Sequence, residues 1–227
     1  MQTALITGGS RGFGKVLATH LACEGWDVTI TGRTHSFLQT AARDIPGATV
    51  IAGDVADPAH RARIAETIGD GLDLLVNNAS DLGPSPLVGL DAISTGAVSR
   101  IFEVNVVAPI ALIQALLPKI PARTGTIVNM SSDAAVTPYP GWGGYGASKA
   151  ALDHITAILA AEHPHTAIYA FDPGDMQTDM HQAAFVGEDI SDRPLPHTVV
   201  PALMRLLTNR PMSGRYLATD LLVEVAQ

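Results

Sequence analysis

A chain of 227 residues with 47 % hydrophobic and 16 % charged residues carries enough apolar material for one buried core and too little charge for a disordered segment. Its net charge of −8 is spread along the sequence without a Lys/Arg cluster, which argues against a nucleic-acid surface. The lone cysteine, Cys23, leaves no internal disulfide and fits a reducing, cytoplasmic setting. The start, MQTALITGG, lacks a basic stretch followed by a long apolar run, so no signal peptide is expected. Nor does any apolar run approach the ~18–20 residues of a membrane span, so no membrane partner is expected.

Residues 3–7 (TALIT) form an apolar, β-rich run closed by Gly8-Gly9, and residues 11–24 then show helical spacing that Gly25 ends. Residues 27–32 (DVTITG) and 48–52 (ATVIA) read as strands; a helix follows Asp57-Pro58, an N-cap with proline in the first turn. Residues 72–76 (LDLLV) are nearly all apolar, as a strand covered on both faces should be. A long helix is expected over about 91–117 and a strand over 126–130 (TIVNM). A helix then opens at Tyr145 and runs to about Glu162, before Pro164. A strand at 167–171 (AIYAF), a proline-rich loop over 173–197, a helix at 198–208 and a strand at 214–218 (GRYLA) complete the chain. Strand alternating with helix means an α/β fold with a parallel sheet covered by helices on both faces. Without repeats or a linker, residues 1–227 are expected to form a single domain, with a substrate loop at about 175–197.

Two stretches carry chemistry. Thr7 to Gly14 (TGGSRGFG) lies between the first strand and the first helix, where glycines let backbone N–H groups approach a phosphate at the helix N-terminus. The phosphate loop of nucleotide triphosphatases also fits Gly9 to Lys15, but it needs Ser or Thr next, and this chain has Val16. The second stretch is Ser131 to Lys149, with Tyr145 thirteen residues after Ser132 and Lys149 four residues beyond Tyr145. On a helix, that last spacing puts phenol and ammonium on one face. A nearby cation favours phenolate, so Lys149 is expected to lower the Tyr145 pKa from its reference near ~10 and make it a usable proton donor. A serine hydroxyl and a phenol converging on one oxygen make a small oxyanion site. By chemistry alone Ser131 serves as well as Ser132.

Together these motifs resemble the classical short-chain dehydrogenase/reductase family. TGGSRGFG matches its T-G-x-x-x-G-x-G; Asn77-Asn78-Ala79-Ser80 is similar to its N-N-A-G, with Ser80 in place of glycine; Asn105 matches its helix asparagine. Ser132 with Tyr145-x-x-x-Lys149 matches the catalytic set, and Pro173-Gly174 with Thr178 resembles P-G-x-x-x-T. The matches cover about residues 3–180. The resemblance implies a single-domain, doubly wound Rossmann-type fold with a seven-stranded, mainly parallel sheet. It also implies a nicotinamide cofactor held by Gly8, Ser10, Arg11, Gly12, Phe13, Arg33, Asn78, Ala79, Tyr145, Lys149, Pro173, Gly174, Met176 and Thr178. Arg11 and Arg33 stand where the family binds the 2′-phosphate of NADP, so NADP(H) is expected over NAD. Asp54-Val55 resembles the adenine contact, though Asp54 reads equally as a helix cap.

By the same resemblance, Tyr145 exchanges the proton, Lys149 assists it, Ser132 holds the carbonyl oxygen and Asn105 supports a water-linked path to Lys149. The substrate is then a small carbonyl or alcohol, and Tyr139, Trp142, Met176, Met180, His181 and Phe185 are candidates to line its pocket. Pairing through the alanine-rich helix after Tyr145 implies a homodimer or homotetramer. A cofactor-binding regulator without turnover and an NAD-dependent sugar epimerase or dehydratase are the other readings. The remaining histidines read as surface residues.

Overall fold

The computed structural model describes residues 1–223, and residues 224–227 of the expected domain lie outside the described residues. Seven strands form one sheet: β1 (Thr3–Thr7), β2 (Asp27–Gly32), β3 (Thr49–Ala52), β4 (Leu74–Asn77), β5 (Thr126–Met130), β6 (Ala167–Asp172) and β7 (Gly214–Leu217). Their order is β3-β2-β1-β4-β5-β6-β7, and all six pairings are parallel. This is the doubly wound, Rossmann-type α/β architecture, with its change of direction between β1 and β4. Each strand boundary falls within two residues of the sequence expectation.

Alternation along β1 shows why the sheet needs cover on both sides. Ile6 packs into a cluster with Leu17 and Leu21 of α1 (Gly12–Cys23), Leu38 of α2 (His35–Ala42), and Leu203 and Leu206 of α8 (Val200–Asn209). Leu5, one residue earlier, points the other way. It joins Ile64 of α3 (Pro58–Thr67), Leu112, Ile113 and Leu116 of α5 (Ala108–Leu116), and Leu159 of α6 (Gly143–Glu162).

Four helices depart from expectation. Helix α2 was not anticipated, because HSFLQTAA offers only Leu38 and Ala41 as buried positions. The loop after Pro173 contains a helix, α7 (Asp179–Ala184), and α9 (Ala218–Val223) follows β7. The long helix expected at about 91–117 is α4 (Thr95–Phe102), a π turn over Glu103–Val107, and α5 with its 3-10 extension to Lys119.

That last run, Thr95–Lys119, is 25 residues long and contains an 18-residue window with a mean hydropathy of 1.8, enough to cross a membrane by length and composition. This corrects the expectation that no stretch reaches that length. Arg100 and Glu103 hid its apolar character in the sequence. Half of its apolar window is buried, with Leu112, Ile113 and Leu116 against the sheet, as in a core helix.

Candidate active site

The turn after β1 meets the end of β4 at the point where the sheet changes direction. Gly8 takes φ +69°, and a Cβ there would sit 3.0 Å from the Ala79 backbone, so the turn passes directly against β4. The Thr7 hydroxyl accepts from the Asn78 and Ala79 N–H groups, both at 2.9 Å, and the Asn78 amide donates to Thr7 O at 2.9 Å. Beyond this seam runs a groove lined by every residue from Gly8 to Ala79 that the sequence assigned to the cofactor, with Met176 and Thr178 on its far side. Arg11 opens α1 in an extended conformation without a side-chain cap, so the N–H groups of the first turn face the groove. Glycine backbone, a helix N-terminus and the two guanidinium groups of Arg11 and Arg33 suit a phosphorylated dinucleotide.

Asp54 is not the helix cap; Asp57 is, accepting from Ala59 N at 2.9 Å. Burial pushes the Asp54 carboxyl up, but the Ala56 N–H and the Arg100 guanidinium outweigh it and hold its pKa below the usual value. Two charged groove residues lie outside the expected cofactor set. Arg100, on α4, binds Asp54 at 2.5 Å and lies 3.6 Å from Asp81. Asp179, on α7, binds Arg11 at 3.1 Å, with both side chains mostly exposed. Such long-range pairs leave no local signal in the sequence.

Tyr145, Lys149, Pro173 and Gly174 line an adjoining pocket together with Ser132. Ser132 follows β5 and caps a 3-10 turn (Asp133–Ala135), its hydroxyl accepting from Ala134 N at 3.2 Å and donating to Asp133 Oδ1 at 3.0 Å. Ser131 is committed elsewhere: its hydroxyl donates to Asp153 Oδ2 at 2.8 Å. Helix α6 reaches this turn because residue 146 is glycine; a Cβ there would lie 2.6 Å from Ala134 O. Tyr145, one residue earlier, is thereby carried to Ser132.

Electrostatics correct one expectation. Burial pushes the Tyr145 phenol up to about 12, against the neighbouring Ser132 and Ser80 hydroxyls, which favour ionisation. The nearby Lys149 does not offset this rise. The ammonium, 2 % exposed, donates to Met130 O at 2.7 Å and lies 5.5 Å from the Tyr145 ring centroid. Burial also pulls Lys149 down to about 8, opposed by Asp153 and Asp172. One helical turn brings the two side chains together, but desolvation of both outweighs their mutual effect.

Asn105 stands in the π turn, whose extra residue turns its side chain inward. Its Nδ2 donates to Asp81 O and to Ser148 Oγ, both at 2.9 Å, while Oδ1 accepts from Asp81 N at 2.7 Å and Ser80 Oγ at 3.2 Å. Asn105 therefore braces the 80–81 loop against α6 and shares no hydrogen bond with Lys149. Ser80, the departure from the family glycine, lines both the groove and the pocket.

Of the expected pocket residues, Trp142, Met176, Met180 and His181 line it. Tyr139 does not: its hydroxyl donates to Asp133 Oδ2 at 2.8 Å, and its ring borders an outer hollow. Phe185 packs behind the wall, 6.1 Å from Trp142 and 4.7 Å from His181 between ring centroids. One histidine read as a surface residue is buried: His60, 1 % exposed, meets Thr31 Oγ1 at 2.7 Å. The expected substrate loop is tied to itself, with Gln177 N donating to Pro194 O at 2.9 Å, and to the body of the domain through Ser85 Oγ, which donates to Ala183 O at 2.7 Å.

The family model described as short chain dehydrogenase matches residues 2–189. The short chain dehydrogenase asqE of Emericella nidulans is 36 % identical over 71 % of this chain, and the match spans 64 % of that relative's length. A sepiapterin reductase of Xenopus tropicalis is 32 % identical, covering 93 % of this chain and 84 % of its own. Among solved structures, a short chain dehydrogenase from Shigella flexneri complexed with NADP superposes with a TM-score of 0.89 at 25 % identity, over 96 % of this chain and 97 % of that one. One from Escherichia coli complexed with NADPH gives 0.87 at 26 % identity, over 96 % of each chain.

Proposed function

This chain belongs to the short-chain dehydrogenase/reductase family, and on that premise we propose that it is an NADP(H)-dependent reductase of ketones or aldehydes. The observation that carries the reading is the meeting of Ser132, Tyr145 and Lys149 in one pocket that opens onto the glycine-lined groove. Arg11 and Arg33 would hold the 2′-phosphate, Asp54 and Val55 would border the adenine, and Asn78, Ala79, Pro173, Gly174, Met176 and Thr178 would enclose the nicotinamide end. The nicotinamide, when bound, supplies or accepts the hydride.

The chain's own residues handle the oxygen and its proton. A phenol with a pKa of about 12 is protonated at neutral pH, which equips Tyr145 as the general acid of carbonyl reduction. Ser132 shifts its O–H from Asp133 to the carbonyl oxygen and stabilises the negative charge that develops there. Lys149, charged below about 8, stabilises the phenolate left after proton transfer. Asn105 holds the 80–81 loop, and with it the Ser80 hydroxyl, against the phenol. Trp142, Leu82, Met176 and Met180 supply an apolar wall that suits a small organic carbonyl.

Exposed Val107 and Ile158, on the long helix and on α6, fit a homo-oligomer paired through those helices. The function is tested by following NADPH oxidation across aldehydes, ketones, quinones and oxoacyl thioesters, with sepiapterin included because several relatives carry that name. Turnover with one class supports the reading. Tight NADPH binding without turnover on any of them favours a cofactor-binding regulator.

A further inference from the structure

Behind the pocket, a charge cluster joins three elements that the catalytic reading treats separately. Arg215 stands on β7, opposite Ala170 of β6. Its Nε donates to Asp153 Oδ2 at 2.9 Å, and its Nη2 donates to Asp172 Oδ2 at 2.6 Å and to the Ser132 carbonyl oxygen at 3.1 Å. Asp153 lies one turn beyond Lys149 on α6 and also accepts from Ser131 Oγ at 2.8 Å. Asp172 ends β6, 3 % exposed, and accepts from Gly174 N at 3.0 Å. One guanidinium thus ties the Ser131-Ser132 backbone, the lysine helix and the start of the Pro173-Gly174 loop into a single unit.

We infer that Arg215 is a positioning residue for Ser132, and that Asp153, one helical turn beyond Lys149, and Asp172, which lines the same pocket as Lys149, are the counter-charges of that ammonium. The inference rests on the reading of Ser132, Tyr145 and Lys149 as the catalytic set. Its geometric basis is the fork of Arg215, whose rigid planar donors fix two carboxylates and a carbonyl at once. A lysine on the same stem would reach one of them. The electrostatic part follows from location. Lys149 is buried, its one hydrogen-bond acceptor is a neutral carbonyl, and burial without a carboxylate nearby drives an ammonium towards its neutral form. The charged and titratable groups around it are Tyr145 and Asp153 on α6, Asp133 after β5, Asp172 on β6 and Arg215 on β7. Asp175 and His181, from the substrate loop, share the pocket. Of these, Asp153 and Asp172 act on Lys149 by charge, both in its favour.

Lys15, Lys119 and Lys149 are the chain's three lysines, so 13C labelling at lysine Cε gives a spectrum in which Lys149 is assigned by its loss in Lys149→Arg. In the wild type Lys149 is expected to titrate near 8. In Asp172→Asn and Asp153→Asn it titrates lower; in Arg215→Gln, where both carboxylates remain, it does not fall. Arg215→Gln lowers kcat about 10–100-fold on the best carbonyl substrate, with the NADPH Kd within about twofold, as expected for a lost charged hydrogen bond that positions the oxyanion donor. Arg215→Lys, which keeps the charge and the fold, recovers part of that loss. The proposal is overturned if the two Asn variants leave Lys149 unmoved, or if Arg215→Gln and Arg215→Lys both turn over like wild type. The titration needs no turnover, so it separates this proposal from the catalytic reading: an active Tyr145→Phe would sink the reading and leave the Lys149 shifts intact.

Discussion

The Lys149 ammonium is anchored on the carbonyl oxygen of Met130, at 2.7 Å, and not on the phenol one turn before it in the same helix. Burial pulls Lys149 down to about 8, since a neutral acceptor compensates a buried cation poorly, and burial of the Tyr145 phenol separately pushes it up to about 12. The carbonyl-reducing rate should therefore fall with pH on a limb near 8, where Lys149 loses its proton, while the phenol stays protonated well beyond it. A profile of kcat against pH reads this directly; a flat profile from pH 7 to 9.5 would contradict it.

The same shift has a stability consequence. Lys149 has a lower pKa folded than unfolded, so between about 8 and 10.5 the unfolded chain binds the extra proton and stability rises with pH. The destabilising contribution is fully present below about 8. Tyr145 acts in the opposite direction only above its unfolded value of about 10. Lys149→Met should be more stable than wild type at pH 7 by thermal melting, and the difference should shrink as the pH is raised to 10.

Arg33 stands in the groove wall just beyond β2, where the 2′-phosphate of NADP would lie. Charged hydrogen bonds of this kind contribute roughly 1.5–3 kcal/mol. Arg33→Asp should weaken NADPH binding about 10–100-fold by fluorescence titration and change NADH binding far less. An equal effect on the two cofactors would remove the assignment.

Gly146 lets α6 touch the turn after Ser132, at 2.6 Å from an added Cβ to Ala134 O. Since that partner is backbone, the helix has to shift. Gly146→Ala should lower stability by roughly 1–3 kcal/mol in urea unfolding, and kcat with it, because Tyr145 is the next residue.

The substrate loop borders both the groove and the pocket through Met176, Thr178 and Met180. NADPH should protect residues 175–195 from limited proteolysis; cleavage at an unchanged rate would argue against closure over the cofactor.

What the sequence revealed was local. The apolar run of β1, the glycines after it and the Tyr145–Lys149 spacing each state their structure within a few residues, and the sheet follows from their alternation. Contacts between distant segments left no such trace. Arg100 meets Asp54 across 46 residues, and Arg215 meets Ser132 across 83. Ser80, standing in place of the family glycine, finds its acceptor in Asn105, in a π turn that no periodicity announces. Helix α7 was hidden by the prolines on either side of it; its cap, Thr178, had been read only as a cofactor contact. The lysine effect on Tyr145 was misjudged for a related reason: spacing gives proximity, but burial sets the sign.

The central claim, that Tyr145 is the proton donor of a carbonyl reduction, is tested most directly by Tyr145→Phe, which removes one hydroxyl and keeps the ring against Trp142. Its kcat on the best carbonyl substrate should fall about 10²–10⁴-fold while the NADPH Kd stays within about twofold. A variant that still reduces its substrate at the wild-type rate would contradict the account.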